Sequence, residues 1–261
     1  MYTLLYTNRS AMTAQQNKID AISNNIANVN TVGYKKVNIQ FQDLYNNSLE
    51  RLGYPTSEGA ENLYAGSGIK STTALRQFSQ GSIHETGLST DLAIDGRGLF
   101  KVYKHDGTSA YTRNGNFNVD ASGVLVDNNG YRLSIVDNEG NELNYNGGTL
   151  NLSGDNFNVD KEGNFYVKNN AEFEKLGQVK TFDSVGGNGL LSSGENLFIP
   201  MEGVTMEEVT DRSIYVGSLE NSNVDIGQEM TDMILTQRAF QLNSTGLKTV
   251  DEMWQMINNL R

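Results

Sequence analysis

Few side chains in this sequence have the types and spacing that catalysis or metal binding requires. The two histidines, His84 and His105, stand alone in loop-like contexts, and neither belongs to a paired metal-ligand spacing. Glycine-rich segments such as DGRGLF (95–100) lack the remaining positions of a phosphate-binding loop. Cysteine is absent, which removes thiol nucleophiles and cysteine-bound metals. We therefore expect no active site, cofactor or metal, although spacing rules cannot identify carboxylate pairs among the 31 acidic residues.

The charge balance narrows the classes of partner. The net charge is −11 and the pI is about 4.7, which argues against nucleic acid and anionic membrane surfaces because both require a basic face. No apolar run reaches the length of a membrane span, so we expect no direct membrane insertion. The first residues lack the basic start and continuous apolar core of a secretion signal. Composition leaves two locations open, the cytosol or a site reached by signal-independent export.

The run NNIANVNTVGYKK, residues 24–36, is the most unusual polar cluster. It places Asn24, Asn25, Asn28 and Asn30 at the end of an apolar stripe, although asparagine is a mediocre helix former. A buried amide offers two donors and two acceptors, and leaving one partner unmet costs about 1–3 kcal/mol. We hypothesise that these amides lie at contacts between subunits, where their directional bonds favour one register. Helix termination within an asparagine-rich sequence is the alternative.

Both ends of the chain carry an apolar residue at every seventh position, which is typical of a coiled-coil seam. The seam residues are Leu5, Met12, Ile19 and Ile26, then Ile226, Met233, Phe240, Leu247 and Trp254. Polar residues at further seam positions are Asn8, Gln15, Thr236 and Asn243. Each large apolar side chain left in water forgoes about 1.5–3 kcal/mol, so both stripes must be covered. We expect the two helices to pair as a coiled coil, and docking of each on the central domain is the alternative.

The middle of the chain has the period of β-strands. LFKVYKHDGTSAYT (99–112) predicts a hairpin with its turn at Asp106-Gly107. NFNVDASG (116–123) is echoed by NFNVDKEG (156–163), and Asp-x-x-Gly in each matches the preferences of a type I turn. DNNG (127–130) fits a turn better than a calcium loop, because the later ligands are out of register. The predicted fold class is mixed α and β, with paired terminal helices and a central all-β domain.

Four segments follow from these patterns. They are an N-terminal core helix over 1–35, an extended linker over 36–75, a β-rich domain over 76–220 and a C-terminal core helix over 221–261. The linker assignment rests on residues 46–75, which have little periodicity and contain Pro55 and four glycines. Gly246 predicts a kink or break within the C-terminal helix.

Motifs at both ends and in the middle resemble the flagellar rod and hook proteins of bacteria. AQQNKIDAISNNIANVNTVGYKK (14–36) resembles their N-terminal motif, a helix ending in Asn-Asn-x-Ala-Asn followed by Thr-x-Gly-aromatic and a basic residue. SNVDIGQEMTDMILTQRAFQLNSTGLKTVDEMW (222–254) resembles their C-terminal motif. The central stretches DLAIDGRGLFKV (91–102) and YTRNGNFNVDASGVLV (111–126) match as well, in the same order.

The resemblance implies a structural subunit of the rod without enzymatic activity, in its distal part or, alternatively, its proximal part. It implies a hollow helical homo-polymer that acts as a drive shaft, with adjacent rod and hook proteins and the flagellar export apparatus as further partners. The chain would lie in the basal body outside the cytoplasmic membrane, exported without a cleaved signal peptide. A β-domain binding module on a coiled-coil stalk is the remaining alternative. We expect assembly contacts at Leu5, Met12, Ile19, Asn24, Asn25, Ile26, Asn28, Gln237, Arg238, Phe240, Asn243, Leu247 and Trp254.

Overall fold

The computed structural model describes residues 2–44, 46–48, 64–66, 68–137, 139–143, 152, 156–169, 172–185 and 189–259. The chain forms two compact units. Unit 1 comprises Met1–Ala27, Val37–Gln77 and Asp225–Arg261, and unit 2 comprises Asn28–Lys36 and Phe78–Val224. Each unit therefore gathers segments that are distant in the sequence.

Two long helices dominate unit 1, as the terminal stripes predicted. Helix α1 spans Tyr2–Ala27 and helix α2 spans Ile226–Asn259. Asp225 caps α2, since its Oδ1 accepts a hydrogen bond of 3.1 Å from the backbone N–H of Gln228. The helices pack side by side in opposite directions, with residues near the start of α2 opposite the end of α1.

A narrow β-ribbon completes unit 1. Its strands are β1 Val37–Asn38, β2 Phe41–Asp43, β3 Asn46–Ser48, β4 Tyr64–Gly66, β5 Ile69–Ser71 and β6 Leu75–Arg76. They pair antiparallel as β1 with β6, β2 with β5 and β3 with β4. The described parts of the predicted linker are thus paired strands, which satisfies backbone groups that an isolated extended chain would leave to water. The rest of that linker prediction, residues 45, 49–63 and 67, lies outside the described residues.

Unit 2 consists of β-structure, as the period-two patterns predicted. Its strands begin with β7 Ile83–Glu85, β8 Leu92–Gly96, β9 Leu99–Tyr103, β10 Ser109–Thr112, β11 Phe117–Val119, β12 Leu125–Asp127, β13 Arg132–Leu133 and β14 Phe157–Val159. They continue with β15 Asn164–Asn169, β16 Glu172–Gln178, β17 Thr181–Ser184, β18 Leu190–Gly194, β19 Leu197–Pro200, β20 Met206–Glu208, β21 Arg212–Val216 and β22 Ser218–Glu220.

Antiparallel pairing organises these strands into one large sheet and smaller companions. The large sheet has the order β11-β12-β13-β9-β10-β19-β18, and β17 pairs with both β9 and β20. Strands β14, β15 and β16 form a second sheet, while β8 pairs with β21 and β7 with β22. The buried core between them includes Phe100, Phe117, Leu125, Phe165 and Ile214, each at most 1% exposed.

The Asp-x-x-Gly turns are confirmed. In each of the two echoed segments the glycine N–H donates to the aspartate carbonyl, at 2.8 Å for Gly123 and 2.7 Å for Gly163. Both glycines have positive φ, 69° and 84°. A type I turn followed by a left-handed residue is a common three- or four-residue hairpin connection, so the local sequence is sufficient to specify it.

Both helices differ in extent from the sequence expectation. Helix α1 ends at Ala27 rather than near residue 35, because Asn28 to Thr31 form a turn and Gly33 takes a left-handed φ of 67°. Helix α2 continues without a break through Gly246. A Cβ at Gly246 would lie 2.9 Å from Nδ2 of Asn8, so this glycine allows close approach of α1 instead of interrupting α2.

Candidate assembly surface

A buried charge cluster in unit 2 joins the segment that follows α1 in the sequence to strand β22, which precedes α2. Nζ of Lys35 lies 2.7 Å from Oε1 of Glu220, and Nε of Arg113 donates to Oε2 of the same carboxylate. All three side chains are at most 4% exposed. We call this cluster the clasp. Two buried cations therefore share the carboxylate of Glu220.

Backbone groups complete the clasp. The N–H of Gly81 donates to Oε1 of Glu220 at 2.7 Å, and Nζ of Lys35 donates to the carbonyl of Ser79 at 2.9 Å. The guanidinium of Arg113 also donates to the carbonyls of Ile94, Gly96 and Gly98. Burial lowers the pKa of Lys35 and the charge of Arg113 acts in the same direction, whereas Glu220 opposes both. Removal of Glu220 would therefore leave only effects that lower the pKa of Lys35 among those named here.

The Thr-x-Gly-aromatic-basic motif explains how Lys35 reaches the clasp. A Cβ at Gly33 would lie 2.5 Å from the backbone nitrogen of Asn114, so the chain passes here only as glycine. The N–H of Gly33 donates to the carbonyl of Glu220 at 2.8 Å, and Oδ1 of Asn223 accepts from the N–H of Lys36 at 2.7 Å. The motif therefore seats residues 33–36 against the chain around 220–223.

Asn25 forms a second buried polar cluster, within unit 1. Its amide pairs with both backbone groups of Val37, accepting from the N–H and donating to the carbonyl, each at 2.9 Å. Nδ2 also donates to Oε2 of Glu229 at 3.0 Å. Asn25 and Glu229 are both 1% exposed. The side chain thus links α1 to β1 and to α2, and the amide that we expected at a subunit contact is committed within the chain.

The other asparagines of the run have different surroundings. Asn24 and Asn30 are exposed, and Asn28 is half-buried with its Oδ1 accepting from the hydroxyl of Thr31 at 3.2 Å. Their role at subunit contacts stays a prediction. One amide of four is therefore buried in the chain, and the exposed members remain accessible to a neighbouring molecule.

Most of the predicted seam residues are half-buried, whereas Ile226 is 44% exposed. Leu5, Met12, Ile19 and Ile26 of α1 are half-buried, as are Phe240, Asn243 and Leu247 of α2. Nδ2 of Asn243 donates to Oε1 of Gln15 at 3.1 Å, so two predicted polar seam positions meet. Gln237, Arg238 and Trp254 are exposed, and their predicted role in assembly contacts stays a prediction.

Much of the remaining apolar surface of α2 is uncovered. Met230, Ile234, Leu235 and Leu242 are between 53% and 71% exposed, and Ile226 is 44% exposed. Further along the helix, Met253, Met256 and Ile257 are 45%, 60% and 52% exposed. Contiguous apolar surface of this kind marks association with another macromolecule. The exposed apolar surface of α2 is therefore suited to binding another macromolecule.

Sequence reasoning missed the acidic partners of both clusters. Glu229 and Glu220 lie far along the chain from Asn25 and Lys35, and no local pattern distinguishes them from solvated acids. Arg113 sits inside a stretch that the resemblance had singled out, YTRNGNFNVDASGVLV, and that stretch was the one available signal.

The described residues contain neither a candidate metal site nor a candidate membrane-spanning helix. Over that part of the chain, no group of three or more His, Cys, Asp or Glu side chains could hold a metal ion. Over the same residues, neither helix is long and apolar enough to cross a membrane.

Three family models match the chain in order. The model described as Flagella basal body rod protein matches residues 5–35, which include the asparagine run and Lys35. The model described as Flagellar hook protein FlgE/F/G D1 domain matches residues 93–179, within unit 2. The model described as Flagellar basal body rod FlgEFG protein C-terminal matches residues 215–260, from β21 through α2.

Full-length relatives agree with these models. The Flagellar basal-body rod protein FlgG of Borreliella burgdorferi is 37% identical over all of this chain and 99% of its own length. The protein of the same name from Bacillus subtilis is 35% identical, with both chains covered completely. The Flagellar hook-basal body complex protein FlhP of Bacillus subtilis is 29% identical, again over both full lengths.

The matches extend across the helices, the ribbon and the β-unit, so they concern the whole chain and not one shared module. They also confirm the resemblance drawn from the terminal and central motifs. With uncovered apolar helices and identity above 30% to rod proteins over its full length, this chain belongs to the flagellar basal-body rod protein family.

Proposed function

We propose that this chain is a structural subunit of the flagellar rod, and that copies of it polymerise into a hollow helical shaft that transmits torque to the hook. The uncovered apolar surface of α2 is the observation that carries this proposal. Each large apolar side chain left in water forgoes about 1.5–3 kcal/mol, which neighbouring copies would recover in a polymer. Catalysis and cofactors have no part in this role.

The distal rod is the proposed position. The segment IQFQDLYNNSL (39–49) followed by GSGIK (66–70) resembles the distal rod protein, and several full-length relatives bear the name FlgG. The proximal rod is the alternative.

Within each subunit, we assign the paired helices to a coiled coil. The half-buried seam positions and the bond between Gln15 and Asn243 support this packing. A polar pair in an apolar seam favours the one register in which its hydrogen bond forms, at a cost in stability. Contacts of the exposed residues Gln237, Arg238 and Trp254 would then be made with neighbouring copies.

The remaining partners and the location follow from the same role. The subunit would contact adjacent rod and hook proteins and be delivered by the flagellar export apparatus without a cleaved signal. It would reside in the basal body, outside the cytoplasmic membrane. The family matches and the charge balance of the sequence support this placement.

Deletion of the gene, followed by electron microscopy of isolated basal bodies, tests the proposal. We expect a truncated rod without a hook, and the wild-type gene should restore it. The point of truncation distinguishes a distal from a proximal subunit. Complete rods and hooks in the deleted strain would contradict the proposal and favour the binding module.

Substitution on the proposed surface sharpens the experiment. The double variant Ile234→Asp and Leu242→Asp should fail to restore the rod, because it places charges on side chains that are 58% and 71% exposed in the single chain. Leu88→Asp is the matched control, since Leu88 is 62% exposed in unit 2 and should tolerate the same change. Equal failure of both would show that the apolar surface of α2 has no special role.

A further inference from the structure

A groove in unit 1 lies between α1 and the ribbon. Its lining includes Tyr6, Arg9 and Thr13 from α1 and Leu44, Ile69 and Lys70 from the ribbon, and its volume is about 450 Å³. Tyr6 is 59% exposed and Leu44 is 38% exposed, so the apolar part of the lining is open.

The groove and α2 occupy different sides of α1. Asn8 and Gln15, seven residues apart, are the α1 side chains that lie against Gly246 and Asn243 of α2. Positions 6, 9 and 13 follow one another at the three- and four-residue spacing of a second side of the helix. The chain's own α2 therefore leaves the groove uncovered.

The last turns of α2 have the complementary surface. Over 251–259 every described residue is exposed, including Met253, Trp254, Met256 and Ile257. The ionisable residues of this stretch are Asp251 and Glu252, which are both acidic. The ionisable lining residues of the groove, besides Tyr6, are Arg9 and Lys70, which are both basic. Opposite charges around apolar side chains set both the partner and its orientation.

We propose that the α1 groove of one copy receives the end of α2, residues 251–259, from a second copy of the chain. This inference rests on the proposed function and specifies which surfaces of the subunits meet. The groove and the helix end are different surfaces of one unit, so the contact is heterologous. Repetition of a heterologous contact builds a ring or an open helical filament rather than a closed pair.

Cysteine cross-linking tests this contact, because the chain has no cysteine of its own. Cells lacking the gene would produce two variants together, Thr13→Cys in the groove and Met256→Cys at the helix end. Both side chains are exposed, and a disulfide requires the two Cα atoms to lie within about 7 Å. Isolated basal bodies would then be oxidised and separated under non-reducing conditions.

We expect a covalent dimer that requires both variants and is at least tenfold more abundant than in the control. The control pairs Met256→Cys with Ser23→Cys, an exposed position of α1 outside the groove lining. Basal bodies that contain both chains but yield no dimer above this control would overturn the inference while the proposed function stands. Absence of the chain from basal bodies would overturn the proposed function, and the inference with it.

Exchange of charges provides a second test that does not depend on cysteine geometry. Arg9→Glu should reduce the recovery of assembled rods at least tenfold, since it places an acid opposite Asp251 and Glu252. Adding Glu252→Lys to the same chain should restore at least half of that loss. A double variant no better than Arg9→Glu alone would contradict the pairing of these two surfaces.

Discussion

Unit 2 has a large buried apolar core, whereas the helices of unit 1 expose many of their apolar side chains. In unit 2, side chains such as Phe100 and Leu133 are completely buried, and the buried charges of Lys35, Arg113 and Glu220 are paired in the clasp. Among the described apolar residues of unit 1, Ala14, Ile22 and Val250 are fully buried, and the seam residues are half-buried. Unit 2 thus has the buried core that is typical of an independent domain, whereas unit 1 has the exposed apolar surface that is typical of an interaction site.

The buried polar groups sharpen this difference. In unit 2 the clasp side chains are at most 4% exposed, so an uncompensated charge there would be poorly hydrated. In unit 1 the Asn25 cluster lies between two helices and a narrow ribbon, where less structure depends on it. We therefore expect substitutions in the clasp to lower the free energy of unfolding more than substitutions around Asn25.

Glu220→Gln should give the largest effect. The change removes the carboxylate that pairs with both Lys35 and Arg113, and breaking a buried ion pair costs about 3–5 kcal/mol. Urea unfolding of the full chain, followed by hydrogen exchange of β9 and β10, would measure this loss in unit 2. Glu208→Gln is the matched control, because the 2.7 Å pair of Glu208 with Lys180 is solvent-exposed and worth about 0–1 kcal/mol. Similar losses in both variants would contradict the role of the clasp.

Asn25→Ala should rank second. It removes the partner of both backbone groups of Val37 and one partner of Glu229, with an expected loss of about 1–3 kcal/mol. The only tryptophan, Trp254, lies in unit 1, so its fluorescence during urea unfolding reports on that unit. Exposed Asn24, changed to Ala, should stay within about 0.5 kcal/mol of the wild type. An equal effect at both positions would show that the buried amide is not the cause.

Gly246→Ala should stabilise unit 1 slightly, by at most about 1 kcal/mol, because alanine favours the helix more than glycine does. The new methyl group meets Nδ2 of Asn8 at 2.9 Å, which is the end of a side chain that can move aside. Gly33→Ala provides the contrast in unit 2, since it meets backbone at 2.5 Å with φ at 67° and should cost about 2 kcal/mol or more. Thermal unfolding of both variants would show whether the signs differ.

Asp127 should give the smallest effect, visible as a pH dependence. Burial raises the pKa of its carboxyl group, and within the described residues its Oδ2 has no hydrogen-bond partner. A raised folded pKa means that its contribution is fully present below the unfolded pKa and is lost as pH rises through the folded pKa. The stability of the wild type relative to Asp127→Asn should therefore increase from pH 7 to pH 4.

Asp106 supplies the control of opposite sign. Hydrogen bonds from Thr108 lower the pKa of its carboxyl group, so its contribution is present above the unfolded pKa and is lost as pH falls through the folded pKa. The stability of the wild type relative to Asp106→Asn should decrease on acidification. Parallel profiles for the two variants would contradict both assignments.

The sequence predicted features that depend on near neighbours. The Asp-x-x-Gly turns at 120–123 and 160–163 were foreseen because four residues determine a type I turn. The seven-residue spacing likewise placed Gln15 and Asn243 on seams, and the structure brings the two side chains together. The terminal helices and the β-rich middle followed from the same periodicities.

Features that depend on distant partners were beyond the sequence. The sequence predicts an extended linker here and not the pairing of its strands, because nothing in residues 37–43 indicates that residues 69–76 lie beside them. Gly246 looked like a helix breaker, since the packing of Asn8 against it arises only when α1 is in place. Glu220 is buried because it pairs with Lys35 and Arg113, and no local sequence pattern indicates that these distant residues meet.

The pairing of β8 with β21 and of β7 with β22 has a consequence for the order of folding. Gly96 pairs with Arg212 and Ile83 with Glu220, so strands near the start of unit 2 close against strands at its end. Contacts of such long sequence separation form late, because the loop between them must first be closed. Unit 2 therefore cannot complete its fold until the chain as far as residue 220 is available. Hairpins such as β9–β10 can form earlier, because their strands are close in the sequence. The pairing of β21 and β22 with β8 and β7 would then complete the domain.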